Sequence, residues 1–286
     1  MNGLAEHVAG WSPEPVEHRD AVGEWAVAAF AGLLDVESPA AAGEPVPPLW
    51  HWLAFLDHPA HAALGADGHP AAGHFLPPIP HRRRMFAGGR LQVHAPLRVG
   101  EPAARRTSLA ALTPRTGRSG EMLFVTLRHE FRVDGELRLV EEQDVVYRSG
   151  PPGAARRGPL DPAPDGPVRA GPGEIALLPD EPLLFGFSAL TYNAHRIHYD
   201  LGYATGVEGY PGLVVHGPLL ALLLLELPRR FDPGHPVRGV TFRLERPAFA
   251  GVPVLAGPDH DAGHDGGYAV RVPGCAPSVR GRVDLG

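Results

Sequence analysis

The chain has 286 residues, 44% of them hydrophobic, with 32 acidic against 26 basic side chains and a formal charge of −6. That length suits one large domain or two ordinary ones, the apolar content argues against wholesale disorder, and the mild acidic balance argues against a phosphate-neutralising nucleic-acid surface. All 26 basic residues are arginine, which excludes Schiff-base chemistry on a lysine, and the single cysteine, Cys275, excludes an intrachain disulfide or a multi-cysteine zinc site. The opening MNGLAEHVAGWSPEP has no basic start followed by an apolar stretch. No signal peptide is therefore expected, and the chain is read as a soluble cytoplasmic protein with no membrane partner.

Residues 21–35 follow Asp20, a residue type favoured at helix N-caps, and read as a helix. PLWHWLAFLD (48–57) is a second, shorter helical segment whose Trp50, Trp52 and Phe55 belong to a core, and 69–84 is a proline-punctuated loop. RMFAGGRLQVHAPLRVGE and RTSLAAL supply two strands. Leu123–Val133 alternates apolar with polar residues at the period of a half-buried strand, Asp134-Gly135 is a type I′ hairpin signal, and Leu137–Arg148 is the returning strand.

From Ser149 to Glu181 the chain turns to proline, glycine and alanine with little periodicity, as a linker does. This divides it into an N-terminal domain (1–150), a linker (151–181) and a C-terminal domain (182–286). In the second half LLFGFSAL (183–190) reads as a strand, 216–230 as a helix, and 237–247, 267–273 and 278–285 as strands. The apolar run within Leu213–Leu227 is broken by His216, Pro218 and Glu226 and is shorter than the roughly 20 residues of a bilayer crossing, so a buried helix is expected. A helix embraced by a curled antiparallel sheet, twice over, is the economical α+β arrangement.

Polar and ionisable side chains crowd into residues 187–220. His216-Gly217-Pro218 fits a helix start, with proline in the first turn and outward-pointing backbone N–H groups at the positive end of the dipole. Such a terminus can hold the oxygen of a thioester carbonyl.

Asn193-Ala-His-Arg-Ile-His198-Tyr-Asp200, followed by Tyr210-Pro-Gly-Leu-Val-Val-His216-Gly217, resembles the MaoC-type dehydratase/hydratase signature. PPLWHWLAFLD, DGHPAAGHFLPPIPHRRRMFAGGR and RHEF…EEQDVVYR extend the resemblance to the first half. They point to the hydroxyacyl-thioester dehydratase type 2 family and its two-domain subgroup similar to mesaconyl-C4-CoA hydratase. The resemblance implies a double hotdog: a degenerate N-terminal hotdog that packs and shapes an acyl tunnel, and one catalytic, C-terminal hotdog.

It also implies roles. His198 is the general acid/base, the alternative being an ordinary core histidine. Asn193 stands where many relatives carry aspartate; an amide exchanges no protons, so Asn193 either orients water and substrate or serves as a turn residue, and the proton work falls to His198. Gly217 offers its N–H to the thioester oxygen or is simply a helix-start glycine. Tyr210 is a substrate-binding candidate. His216 lines the pocket or caps the helix, His195 and Arg196 contact substrate or bond structurally, and Asp200 orients a neighbour. Arg82, Arg83, Arg84 and Arg90 form a basic knot that meets the nucleotide of a carrier or a second substrate carboxylate, or is a solvated loop.

The implied reaction is reversible hydration of a 2-enoyl thioester, equivalently dehydration of a 3-hydroxyacyl thioester, without metal or redox cofactor. Coenzyme A is the expected carrier and acyl carrier protein the second choice. The acyl group is a mesaconyl-like dicarboxylyl chain or a 3-hydroxyacyl chain of fatty-acid or polyketide type. A thioesterase using Asp200 or Glu208, and a non-catalytic acyl-thioester-binding protein, are the alternatives. A homodimer follows by analogy with other hotdog proteins.

Overall fold

A computed structural model describes residues 3–117, 120–149, 166–261 and 266–286. The first half supplies strands β1 (Val16–Asp20), β2 (Arg82–Val93), β3 (Ala103–Gly117), β4 (Gly120–Val133) and β5 (Glu136–Ser149). The second supplies β6 (Ile175–Leu177), β7 (Val237–Leu244), β8 (Val254–Pro258), β9 (Gly267–Arg271) and β10 (Val279–Leu285). Among the described residues these strands form one sheet in the order β1-β3-β4-β5-β2-β7-β10-β9-β8-β6. The helices are α1 (Leu4–His7), α2 (Glu24–Leu33), α3 (Glu181–Leu190), α4 (Leu201–Gly206) and α5 (Gly217–Phe231).

The two halves meet edge to edge where β2 pairs with β7, from Gly88↔Arg243 to Gln92↔Gly239. A Cβ at Gly88 would lie 2.4 Å from the carbonyl oxygen of Phe242, so this junction closes only over a glycine. The β4–β5 hairpin turns at Asp134 (φ 49°) and Gly135 (φ 86°), the paired positive φ values of the expected type I′ turn.

Helix α5 has no polar face through its first turns. Leu219–Leu225 are at most 4% exposed and pack against β2 and β7 to β10, so the C-terminal sheet wraps the helix as its composition demands. The buried Glu226 is answered by Arg229 and Arg230 in the last turn, which neutralise the charge that burial penalises. Phe30 of α2 stacks edge-on against Trp50 at 4.6 Å and lies 5.9 Å from Phe187 of α3, joining both halves in one core. This is the α+β double hotdog. No helix among the described residues is long and apolar enough to cross a membrane.

Four expectations are corrected. LLFGFSAL lies within helix α3: Asp180 caps it by accepting from Leu183 N at 3.0 Å, Pro182 sits in the first turn, and Leu183, Leu184, Phe187 and Leu190 bury one face at helical spacing. Asp20 caps no helix; it ends β1, and its carboxylate accepts from Phe55 N at 2.7 Å, pinning the 3-10 turn Trp50–Leu53. Arg82–Arg84 begin β2, paired with Ser149–Tyr147, and are no part of a loop. The span read as a linker ends in β6, an edge strand on β8, while its residues 151–165 lie outside the described residues.

Candidate active site

Helix α3 ends at Leu190, and the chain reverses through Thr191 and Tyr192, the latter at φ 50°. The Oδ1 of Asn193 accepts from His195 N at 3.0 Å, and its own N–H donates to Ser188 O at 2.8 Å. Asn193 is thus a working turn residue: its oxygen accepts from the backbone, and its amide NH2 remains for a ligand. The turn delivers the 3-10 segment Arg196–His198, which the Val214 N–H ties down by donating to Ile197 O at 2.9 Å.

His198 is 7% exposed, and its Nδ1–H donates to the Val214 carbonyl at 2.7 Å. That bond assigns the tautomer and leaves Nε2 with its lone pair free to accept a proton. The ring stacks on His216 at 3.7 Å and meets His195 edge-on at 5.4 Å. His216 is wholly buried behind it, sharing a 2.8 Å hydrogen bond with the Ser188 hydroxyl; it does not line the cavity, so direct substrate contact is not its place. Burial, reinforced by repulsion from His69, lowers the His198 pKa to about 4. Burial and then the His69 and His198 rings lower His195 to about 2, and burial with the same kind of repulsion takes His216 well below its ordinary range. These three rings are neutral at pH 7.

Gly217 follows His216 directly and opens α5, and no acceptor for its amide is found among the described residues. It lines the same cavity as His198, beside Leu244 and Phe86. A free base and a free first-turn N–H therefore face one space, which is what a thioester acquiring enolate character requires.

That cavity is about 2920 Å³, bounded by the N-terminal sheet on one side and the His195–His198 segment with the start of α5 on the other. Tyr210 lines it, its hydroxyl pKa raised by burial. Arg84 also lines it: the guanidinium is deeply desolvated, bonds to Tyr147, and makes no ion pair among the described residues. Arg90 reaches the cavity but is held by Glu142 at 2.6 Å and Asp144 at 3.1 Å. Arg82 donates to the carbonyls of Pro77 and Ala71, and Arg83 pairs with Glu208. Arg196 does not line the cavity, and its bonds are the structural ones of the two alternatives; its guanidinium serves Asp200 at 2.7 Å and Ala66 O at 2.9 Å and lies over the Tyr203 ring. Asp200 caps α4 through Tyr203 N at 2.9 Å.

The sequence reading missed Asp67 and His69. Their loop reaches across from the first half, so that His69 lies 3.9 Å from the His195 ring between centroids and 3.0 Å from the Asp67 carboxylate. The signal was present in the DGHP run. Donor atoms of Asp67, His69 and His195 lie within 4.8 Å of one another. The Arg84 charge beside them works against positive charge on either histidine, and Asp67 works for it.

Residues 49–250 match the hydroxyacyl-thioester dehydratase type 2 family. The chain is 48% identical over 242 residues to mesaconyl-C4-CoA hydratase of Chloroflexus aurantiacus, an alignment covering 82% of this chain and 83% of that one. Among solved structures it superposes on a MaoC-like dehydratase from Phytophthora capsici with a TM-score of 0.66 at 12% identity, covering 100% of this chain and 99% of that one. A Mycobacterium tuberculosis protein described as a double hotdog superposes with a TM-score of 0.57 at 15% identity over 96% of each chain. With the matched region, the overall identity and the fold in agreement, the chain belongs to the hydroxyacyl-thioester dehydratase type 2 family and is a hydratase/dehydratase of thioesters.

Proposed function

We propose that the chain adds water to the double bond of a short dicarboxylyl-CoA of the mesaconyl kind, with His198 as general base and the Gly217 N–H as oxyanion donor. The observation that carries this reading is the pairing of the free His198 Nε2 with the free first-turn amide of α5 on one cavity. Water loses its proton to Nε2 as its oxygen bonds to the β-carbon. The electrons of the double bond move onto the thioester oxygen, to which the Gly217 N–H donates a hydrogen bond. A positioned imidazole contributes about 10²–10⁴ in rate and an oxyanion donor about 10²–10³. The Asn193 amide is left to orient the water. No step calls on a metal or redox group.

The desolvated Arg84 supports the dicarboxylyl assignment. A half-buried, desolvated guanidinium without an ion pair among the described residues favours an incoming carboxylate, which restores the charge balance lost on desolvation. The cavity exceeds the roughly 300–1,000 Å³ of ordinary small-molecule sites, in keeping with a bulky carrier. Coenzyme A is the proposed carrier and acyl carrier protein the second, while a homodimer rests on analogy alone. Thioester hydrolysis through either carboxylate considered for it is disfavoured because both are engaged, Asp200 by Arg196 and Glu208 by Arg83.

A panel of saturated, enoyl and dicarboxylyl CoA esters, followed by mass, tests this. Gain of one water by mesaconyl-CoA and by no saturated ester is expected. Release of free CoA thiol without hydration would establish the thioesterase instead, and binding with neither product would establish a non-catalytic binder.

A further inference from the structure

Adding water across a double bond moves two protons: one leaves the water and one arrives at the α-carbon. Asn193 cannot supply a second titrating group, and its oxygen is taken by the His195 N–H. On the hydratase reading above, we propose that His69, held by Asp67, is the second acid–base residue of the reaction, delivered to the C-terminal site by the N-terminal half.

The geometry is specific. Asp67 accepts from the His69 backbone N–H at 3.0 Å with Oδ1 and from the ring Nδ1–H at 3.0 Å with Oδ2. One carboxylate thus sets both the backbone and the tautomer, leaving the His69 Nε2 free to exchange a proton. The His69, His195 and His198 rings follow in series, at 3.9 Å and then 5.4 Å between centroids. The loop is fastened to the catalytic segment: Arg196 N–H donates to Asp67 O at 2.9 Å and the Arg196 guanidinium to Ala66 O at 2.9 Å. At Gly68, φ is +88° and a Cβ would lie 1.8 Å from the Ala194 carbonyl oxygen. Only glycine admits that approach.

His69 faces Asp67 from its own loop, His195 from the segment after α3 and Arg84 from β2, with His198 beyond His195. Asp67 is the one negative group among these. Of the four imidazoles at the centre, His69 is the one that bonds a carboxylate among the described residues, so a proton carried by the cluster settles there. Burial lowers the His69 pKa, Asp67 opposes the fall and the Arg84 charge adds to it, whereas His198 and His195 are lowered to about 4 and about 2 without any carboxylate bond.

In the hydration direction the His69 imidazolium gives its Nε2 proton to the α-carbon as the enolate electrons return to form the C–H bond. His198 meanwhile holds the proton taken from water. The centre begins and ends with one extra proton, which moves back from His198 to His69 before the next turnover. Asp67 is a positioning residue.

Three proteins test this: wild type, His69→Gln and Asp67→Asn, the last keeping an oxygen for the His69 N–H. Hydration requires protonated His69, so the rate falls as pH rises through its pKa. His69→Gln is expected to lose about 10²–10³-fold in kcat with KM within about threefold, and to lose the alkaline limb of the profile. Asp67→Asn is expected to move that limb to lower pH. NMR titration of the ligand-free protein should show His69 as the highest-titrating imidazole of the cluster. A His69→Gln enzyme with wild-type kcat, or with an unchanged alkaline limb, overturns the role, as does a His69 ring titrating below His198. Wild-type protein that hydrates no enoyl thioester overturns the hydratase reading and this role together; an active wild type with an unaffected His69→Gln overturns this role alone.

Discussion

Replacing His198 by glutamine probes its burial as a neutral base independently of turnover. The amide is similar in reach and can donate to the Val214 carbonyl, which now receives Nδ1–H at 2.7 Å, so the 3-10 turn should survive. In the wild type, burial takes the ring from an ordinary pKa of 6.5 to about 4. Between those values the unfolded chain binds a proton that the folded chain refuses. The stabilisation from this residue is therefore complete above pH 6.5 and is lost as the pH falls toward 4. From pH 7 to pH 5 the linkage relation puts the loss at about 2 kcal/mol from this one ring. Urea unfolding of both proteins at the two pH values measures it. The wild type should weaken between pH 7 and pH 5 by about 2 kcal/mol more than His198→Gln does. Equal acid sensitivity in the two would mean that the ring is not held neutral by burial.

Arg84→Met should raise KM for mesaconyl-CoA by about tenfold or more while changing that for crotonyl-CoA by less than about threefold, a split read from steady-state kinetics on both esters. Gly68→Ala forces the loop away from Ala194 and should reduce activity together with Tm, at a cost of about 2 kcal/mol or more by thermal unfolding, while an unchanged Tm would show that the close approach is not needed. Asn193→Asp keeps an acceptor for the His195 N–H and should retain substantial activity, with a new carboxylate limb in its pH profile; a profile without that limb would place position 193 away from the reacting groups.

Helix α5 was legible because an all-round leucine run has only one stable destination, the inside of a wrapped sheet, and β4–β5 because alternation and Asp134-Gly135 agree. His198 and Gly217 were singled out by the spacing of the signature, and both line one cavity. Helix α3 was misread because an aromatic-rich segment of ten residues fits either period until the Asp180-Glu181-Pro182 start is weighed. Asp67 and His69 were hidden for a different reason. They sit in an aperiodic glycine- and proline-rich loop, and their meaning depends on contacts with Ala194, His195 and Arg196 more than 120 residues away. The arginines divide on the same ground: sequence could not tell Arg83, Arg90 and Arg196, which are ion-paired, from Arg84, which makes no ion pair among the described residues.

Turnover of mesaconyl-CoA by wild type and His198→Gln, alongside direct measurement of acyl-CoA binding, puts the base assignment to its most direct trial. The expected result is hydration by the wild type and a loss of about 10²–10⁴ in the variant with binding intact. Undiminished hydration by the glutamine variant would remove His198 from the chemistry.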